Sequence, residues 1–390
     1  MMKRIFISLL SVLVSVSALA SELSQYTAVR VQKAHQLAQD EKVSEAIEAL
    51  EELDISRSYD KAFVARMLGV FYWQNEQTKK AIESLTYAVE SGLLLDEQAW
   101  VTQRMLADVL LNEQQFKKAL PHYYKLVKSA PENQAKDQLW MRIAQAEYQI
   151  ENWTKTLAAI KQYDTFGNKD ALPPLSLKLG AQMQLKQWKS AIPTLEKLIV
   201  LQPEKSNWWR QLVGLHLRLE RDKSALSTLA LAKLQGVEIT QADRRLLAQL
   251  YAKQGIPERA AQEISELEEA NTDVQLLAEQ ATYWQLAKEW DKSIAVWSLA
   301  SKHDVKYHWN VAQLMVQEGQ YRQALTELDK VKAKDKQADV ALARVRALYK
   351  LNQLEGALIQ AKRADNIEAS SEAKGWIKYL TQLRSIEASS

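Results

Sequence analysis

The residues of this chain that could carry out acid–base or metal chemistry are five histidines and several adjacent pairs of acids. No two histidines have the i, i+4 spacing that lets two imidazoles share one zinc ion. His303 and His308 are five residues apart, which places them about 140° apart around a helix. Acidic pairs such as Glu51 and Glu52 fit a solvated helix face, and the chain contains no cysteine. The sequence therefore predicts no catalytic residues, no metal site and no cofactor.

Four arginines recur at one position of a repeated pattern and could bind a carboxylate. Each lies fifteen residues before a small residue of that pattern, and they are Arg66, Arg104, Arg210 and Arg245. The planar guanidinium matches the two oxygens of a carboxylate. Trp73 and Trp309 also fall on inward-facing positions and would supply apolar anchors. These six residues form the predicted partner-binding site. The alternative is that the arginines form salt bridges within a helix or between repeats.

The pattern that positions these residues is a small residue followed by aliphatic positions. Successive small residues are 31 to 38 residues apart, with a mean of about 34.6, close to the ~34-residue period of the tetratricopeptide repeat. The small residues are Ala46, Ala81, Ala119, Thr156, Ala191, Ala225, Ala260, Ser293, Ala324 and Ala357. Other consensus positions agree, as Leu68, Gly69 and Tyr72 do before Ala81.

This period predicts an all-α fold, a right-handed α-solenoid of about ten helix pairs over residues 21–390. The small residue lies where the two helices of a pair approach closely. One pair cannot bury its own apolar face, so neighbouring pairs must stack, and the amphipathic tail at 371–385 predicts a capping helix. Only 10 glycines and 7 prolines occur in 390 residues, which agrees with helices joined by short turns.

Two places depart from the regular pattern. Residues 166–174 are rich in glycine, asparagine and proline, which predicts either a longer loop or a hinge. Gly180 lies one residue closer to Ala191 than the consensus glycine does to its small residue. This offset predicts a shortened turn in the fifth unit.

Residues 1–20 have the three-part organisation of a secretory signal peptide. Lys3 and Arg4 precede an apolar stretch at 5–19, and Ala18 and Ala20 form an A-x-A cleavage site. A retained membrane anchor is the alternative. Cleavage would lower the net charge from +3 to +1, which disfavours general nucleic-acid binding. The expected product is a chain without a membrane span, located in the periplasm if the source is Gram-negative.

One stretch, best defined over residues 200–330, resembles a known family. It includes Asn207, Trp208, Trp209, Arg210, Gln211 and Leu212, then Ala225, Leu226, Gly236, Leu250, Tyr251, Pro257, Ala260 and Ala261, and finally Trp284, Glu289, Trp290, Asp291 and Lys292. This stretch resembles the exported tetratricopeptide-repeat proteins encoded beside the TonB–ExbB–ExbD energy-transduction systems of Gram-negative bacteria. The resemblance implies an accessory, scaffolding role in TonB-dependent iron or nutrient uptake and supplies no catalytic residues.

These observations predict a periplasmic protein-binding scaffold. It would capture a segment of a partner, the TonB–ExbB–ExbD complex, along the face that the first helices form. An envelope assembly factor for outer-membrane proteins or exported polysaccharide is the alternative within the same class. A cell-wall hydrolase with an acidic pair in the groove is the alternative from the enzyme class, and the sequence offers little chemistry for it.

Overall fold

The computed structural model describes residues 23–131, 134–167 and 170–387. Over these ranges the chain forms 21 α-helices and two short 3-10 helices, with no strand, which confirms the all-α fold class. No helix in the described part is both long and apolar enough to cross a bilayer. The signal peptide predicted at 1–20 lies outside the described residues.

The helices belong to two compact units that divide between residues 201 and 202. The N-terminal unit contains five antiparallel helix pairs, in each of which an odd-numbered first helix precedes an even-numbered second helix. Its helices are α1 Gln25–Gln39, α2 Val43–Glu51, α3 Ser58–Gln74, α4 Thr78–Glu90, α5 Asp96–Asn112, α6 Phe116–Lys128, α7 Lys136–Gln149, α8 Trp153–Asp164, α9 Leu172–Gln184 and α10 Trp188–Leu201. Each second helix also packs on the next first helix, and α3 touches α5 directly.

The C-terminal unit contains five further pairs and one last helix. Its helices are α11 Ser206–Arg218, α12 Asp222–Leu234, α13 Gln241–Lys253, α14 Pro257–Ser265, α15 Val274–Leu286, α16 Trp290–His303, α17 His308–Gln317, α18 Tyr321–Leu328, α19 Gln337–Lys350, α20 Leu354–Ile367 and α21 Ser371–Glu387. Helix α21 packs on α20 where the sequence predicts a cap. The continuity of one solenoid over 21–390 stays a prediction.

The ten small residues occupy one structural position. Each is the fourth residue of the second helix of its pair, and each has an exposed fraction of 0%. Ala119, for example, lies among Leu106, Tyr123 and Leu126 in one apolar cluster of the N-terminal unit. The period read from the sequence therefore marks one fully buried position on the second helix of every pair.

All ten pairs are joined by the same three-residue turn. In the turn after α3, the N–H of Gln77 donates to the carbonyl of Tyr72 at 2.8 Å, and the other nine turns repeat this bond. The middle residue always has a left-handed backbone, with φ between 55° and 77°. Only Gly255 and Gly319 supply a glycine there. The low glycine count therefore reflects turns that mostly place ordinary residues in the left-handed region.

The structure corrects two expectations about irregular places. The shortened turn predicted for the fifth unit is wrong, because α9 and α10 are joined by the same three residues as the other pairs. Gly180 instead makes room for Tyr148, whose hydroxyl end occupies the space that a Cβ would take. The loop predicted at 166–174 is also shorter than expected, since Pro173 and Pro174 lie in the first turn of α9.

Substitutions at two turn residues with a left-handed backbone should change the free energy of unfolding in opposite directions. Gly255 has φ 74°, and no atom lies within 4 Å of the position that a Cβ would take, so Gly255→Ala should destabilise the turn by about 1 kcal/mol through backbone strain alone. Lys186 has φ 55°, so Lys186→Gly should relieve strain of similar size, less the added entropy of the unfolded chain. Urea denaturation of the two variants checks this pair, and equal signs would contradict it.

Candidate functional site

Three of the four predicted arginines form ion pairs within the chain. The Nε of Arg104 lies 3.8 Å from Asp108 one turn further along α5. Arg210 pairs across to Asp243 on the next first helix at 3.2 Å, and Arg245 pairs in the same way with Glu279 at 3.6 Å. These contacts are salt bridges within a helix and between repeats, the alternative that the sequence left open.

Arg66 differs from the other three. No carboxylate of the described residues pairs with it, and its Nε is buried without a hydrogen-bond acceptor. The guanidinium lies over the ring of Phe63, 5.6 Å from its centroid. Burial lowers the pKa of Arg66, with a smaller opposing effect from Tyr59. This charge is therefore desolvated without an anion to compensate it.

The lack of a carboxylate partner also separates Arg66 from the other half-buried arginines in the described ranges. There are four half-buried arginines in all, and Arg104, Arg244 and Arg344 each have a carboxylate partner. The Nε atoms of Arg244 and Arg344 are also buried without an acceptor, so the missing carboxylate is what distinguishes Arg66. Arg244, for instance, lies 3.3 Å from the buried Glu263. Charges removed from water are normally paired, because desolvation of an isolated charge is expensive. Arg66 is the exception, so α3 carries a cation able to accept an external anion.

The two predicted tryptophans take part in packing. Trp73 is half-buried and contacts two apolar clusters of the N-terminal unit. Trp309 is half-buried against Ala312 and Leu328 in the C-terminal unit. Each keeps only part of its ring accessible. Whether any of the six predicted residues contacts a partner stays a prediction.

Asp108 lies between two arginines on the first helices of the N-terminal unit. Its Oδ1 accepts a 2.5 Å hydrogen bond from the Tyr123 hydroxyl. Burial raises the pKa of Asp108, and this effect outweighs the opposing hydrogen bond from Tyr123 and the charges of Arg104 and Arg142. The same pairing, together with burial, raises the pKa of the Tyr123 hydroxyl.

Because the pKa of Asp108 is raised, we predict that Asp108→Asn increases the stability of the fold by an amount that depends on pH. A carboxyl whose folded pKa lies above its unfolded value favours folding below the unfolded value, and this contribution is lost as the pH rises through the folded value. The amide keeps the acceptor for Tyr123 and removes the charge. We expect the variant to be more stable than the parent at pH 7, because burial of the Asp108 charge outweighs its attraction to Arg104 and Arg142, with the difference vanishing at acidic pH. Thermal unfolding across this pH range measures it; a variant less stable at pH 7 would contradict it.

Sequence reasoning missed the methionines beside these arginines. Met67 follows Arg66, Met105 follows Arg104, and Met141 precedes Arg142, so three successive first helices carry an Arg and a Met side by side. All three methionines are half-buried. The adjacency is visible in the sequence, although its order is reversed on α7, where Met141 lies fifteen residues and Arg142 fourteen residues before Thr156.

Comparisons with known proteins add little to this description. No protein-family model matches the chain, and no curated protein matches it either. Within the described residues no group of histidines and acids could hold a metal ion.

Several solved structures resemble the chain at low similarity. A human IFIT1 dimer with m7Gppp-AAAA is 15% identical, with 84% of this chain and 82% of that chain covered and a TM-score of 0.29. A tetratricopeptide repeat protein from Parabacteroides merdae is 14% identical, with coverage of 73% and 99% and a TM-score of 0.26. The TPR domain of P58(IPK) is 12% identical, with coverage of 93% and 99% and a TM-score of 0.26.

Proposed function

We propose that this protein is a periplasmic protein-binding scaffold, an accessory component of a TonB–ExbB–ExbD transport system. The observation that carries the binding role is Arg66, a desolvated guanidinium without an anion on a first helix. Arg66 is half-buried, so a partner carboxylate would pair with the part of the guanidinium that stays accessible, through a charge-assisted hydrogen bond. Pre-formed helices lose little conformational entropy on binding, which favours capture of a flexible segment.

The choice of transport system rests on the resemblance over residues 200–330, and the periplasmic location rests on the signal-peptide organisation of residues 1–20. Both are open to direct measurement. Mature protein recovered from the periplasmic fraction should begin at Ser21. An uncleaved chain in the membrane fraction would instead support the retained anchor.

Affinity capture from a membrane extract, with the full chain as bait, tests the binding role. We expect TonB, ExbB or ExbD in the eluate, and Arg66→Gln should weaken recovery about tenfold, the scale of one hydrogen bond to a charged group. Arg346→Gln is the control, since Arg346 is an exposed first-helix arginine outside the predicted site and pairs with Glu372. Recovery of other envelope proteins alone would favour the assembly-factor role, and no specific recovery would contradict a scaffold.

A further inference from the structure

Methionine is distributed unevenly over the first helices. The chain has 7 methionines, of which five follow the first two residues. Four of these five lie on consecutive first helices of the N-terminal unit, namely Met67 on α3, Met105 on α5, Met141 on α7 and Met183 on α9. The fifth, Met315, lies in the C-terminal unit. All five are half-buried.

The methionines on α3 and α5 share their helix faces with other half-buried apolar side chains, and Met141 on α7 is half-buried as well. We name the methionine face by its residues Met67, Val70, Trp73, Val101, Met105 and Met141. On α3 the spacing of Met67, Val70 and Trp73 places them along one side of the helix. These three and the α5 pair Val101 and Met105 pack against the apolar clusters and keep part of their surface accessible.

The first helices of the C-terminal unit carry different residue types at the repeat position of Met67 and Met105. Met67 and Met105 lie fourteen residues before their small residues. In the C-terminal unit that position holds Gln211, Leu246, Glu279, Asn310 and Ala343. Three of these five are polar, including the acid Glu279, and none is a methionine.

The methionine face also has a distinctive charge. Arg66 is adjacent to Met67 and has no carboxylate partner. Arg142, adjacent to Met141, is exposed, and its Nη1 donates a hydrogen bond to the neutral amide of Gln145 at 3.3 Å. A ligand that fits this surface therefore combines apolar side chains with at least one anion. Methionine suits such a surface because its flexible, polarizable side chain adapts to different apolar shapes.

We infer that the methionine face binds an amphipathic segment of a partner protein, with its apolar side chains on Met67, Met105 and Met141 and an Asp or Glu carboxylate on Arg66. This inference rests on the proposed scaffold function and narrows it to one surface of the N-terminal unit. The pairing of the carboxylate with Arg66 fixes the orientation of the bound segment. The apolar contacts supply most of the buried area.

Site-specific photo-crosslinking in cells tests the inference. The crosslinking amino acid p-benzoylphenylalanine replaces Gln74, next to Trp73 at the end of α3, in the full chain. Gln317 is the matched control, because it is also an exposed glutamine, seven residues before its small residue, at the end of first helix α17. Both positions are exposed, so the substitution leaves the core intact. Mass spectrometry then identifies the crosslinked segment.

We expect a crosslink from position 74 to a partner segment that alternates apolar and acidic residues, and none from position 317. In the position-74 protein, Arg66→Gln should lower the yield about tenfold, whereas Arg346→Gln, at an exposed arginine that pairs with Glu372, should not change it. A crosslink from position 317 alone would overturn the inference and leave the scaffold role standing. A position-74 crosslink to a segment without acids, to a second copy or to residues 1–22 of the chain itself would overturn the partner class. Crosslinks from neither position would count against both proposals.

Discussion

Replacing Arg66 with methionine is expected to raise the free energy of unfolding of the α3–α4 pair by about 1–2 kcal/mol. The wild-type guanidinium is desolvated, and its Nε has no acceptor. Its contact with Phe63 returns only about 0.5–1 kcal/mol, less than the several kcal/mol that desolvation of an unpaired charge involves. Methionine keeps the apolar stem and removes the charge, so the folded state gains.

Arg244→Met is the matched control and should act in the opposite direction. Arg244 is as inaccessible as Arg104, with 18% of its side chain exposed, but it contacts Glu263 at 3.3 Å and also Glu266. Lys233 still pairs with both glutamates, at 2.8 and 3.0 Å, after the change. Arg244→Met should therefore lower the free energy of unfolding by about 1–3 kcal/mol, the range for hydrogen bonds to charged groups. The larger penalty of an isolated buried acid does not apply, because Lys233 still pairs with both glutamates.

Hydrogen exchange followed by mass spectrometry measures both changes locally, so that each change is assigned to its own helix pair. Amides of α3 and α4 should exchange more slowly in Arg66→Met, and amides of α13 and α14 faster in Arg244→Met. Faster exchange in both variants would show that Arg66 stabilises the fold, and its missing partner would then carry no functional meaning. A stabilising change that also abolishes binding is the pattern expected of a residue kept for function.

Much of the fold follows from the sequence because the repeat imposes local requirements. Ala119 and Thr156 are identifiable as helix-contact positions since only small side chains fit there, and both are fully buried. The helix boundaries follow with them, because every small residue lies at the same distance from the start of its helix. Ten repetitions of this signal make it far stronger than any single helix pattern.

The candidate site was less predictable because it depends on which side chains meet across neighbouring pairs. Arg210 and Arg66 occupy the same repeat position, yet Arg210 meets Asp243 and Arg66 meets no acid of the described residues. The acid that decides the outcome lies on the following first helix, at an offset that changes from pair to pair. Gly180 illustrates the same limit, since its role depends on Tyr148 in the preceding pair.

Two glycines inside first helices should respond to alanine with opposite signs. At Gly69 on α3 a Cβ would lie 2.5 Å from Cγ and 2.8 Å from Cδ2 of Leu85, which is 1% exposed. Leu85 belongs to a packed cluster, and its backbone nitrogen is only 3.3 Å from the same Cβ position. The added methyl group must therefore push α3 and α4 apart. Overpacking of this kind is destabilising by about 1–3 kcal/mol, more than alanine recovers in helix propensity.

At Gly214 on α11 no atom lies within 4 Å of the added Cβ, and the position is exposed. Gly214→Ala should therefore stabilise its helix by about 0.8–1 kcal/mol, the full difference in helix propensity. Both substitutions change the unfolded chain in the same way, so a difference in sign isolates the contact with Leu85. Hydrogen exchange in α3 and in α11 is the measurement. Gly69→Ala combined with Leu85→Ala should recover part of the loss if the clash causes it, whereas a purely additive loss would place the cause elsewhere.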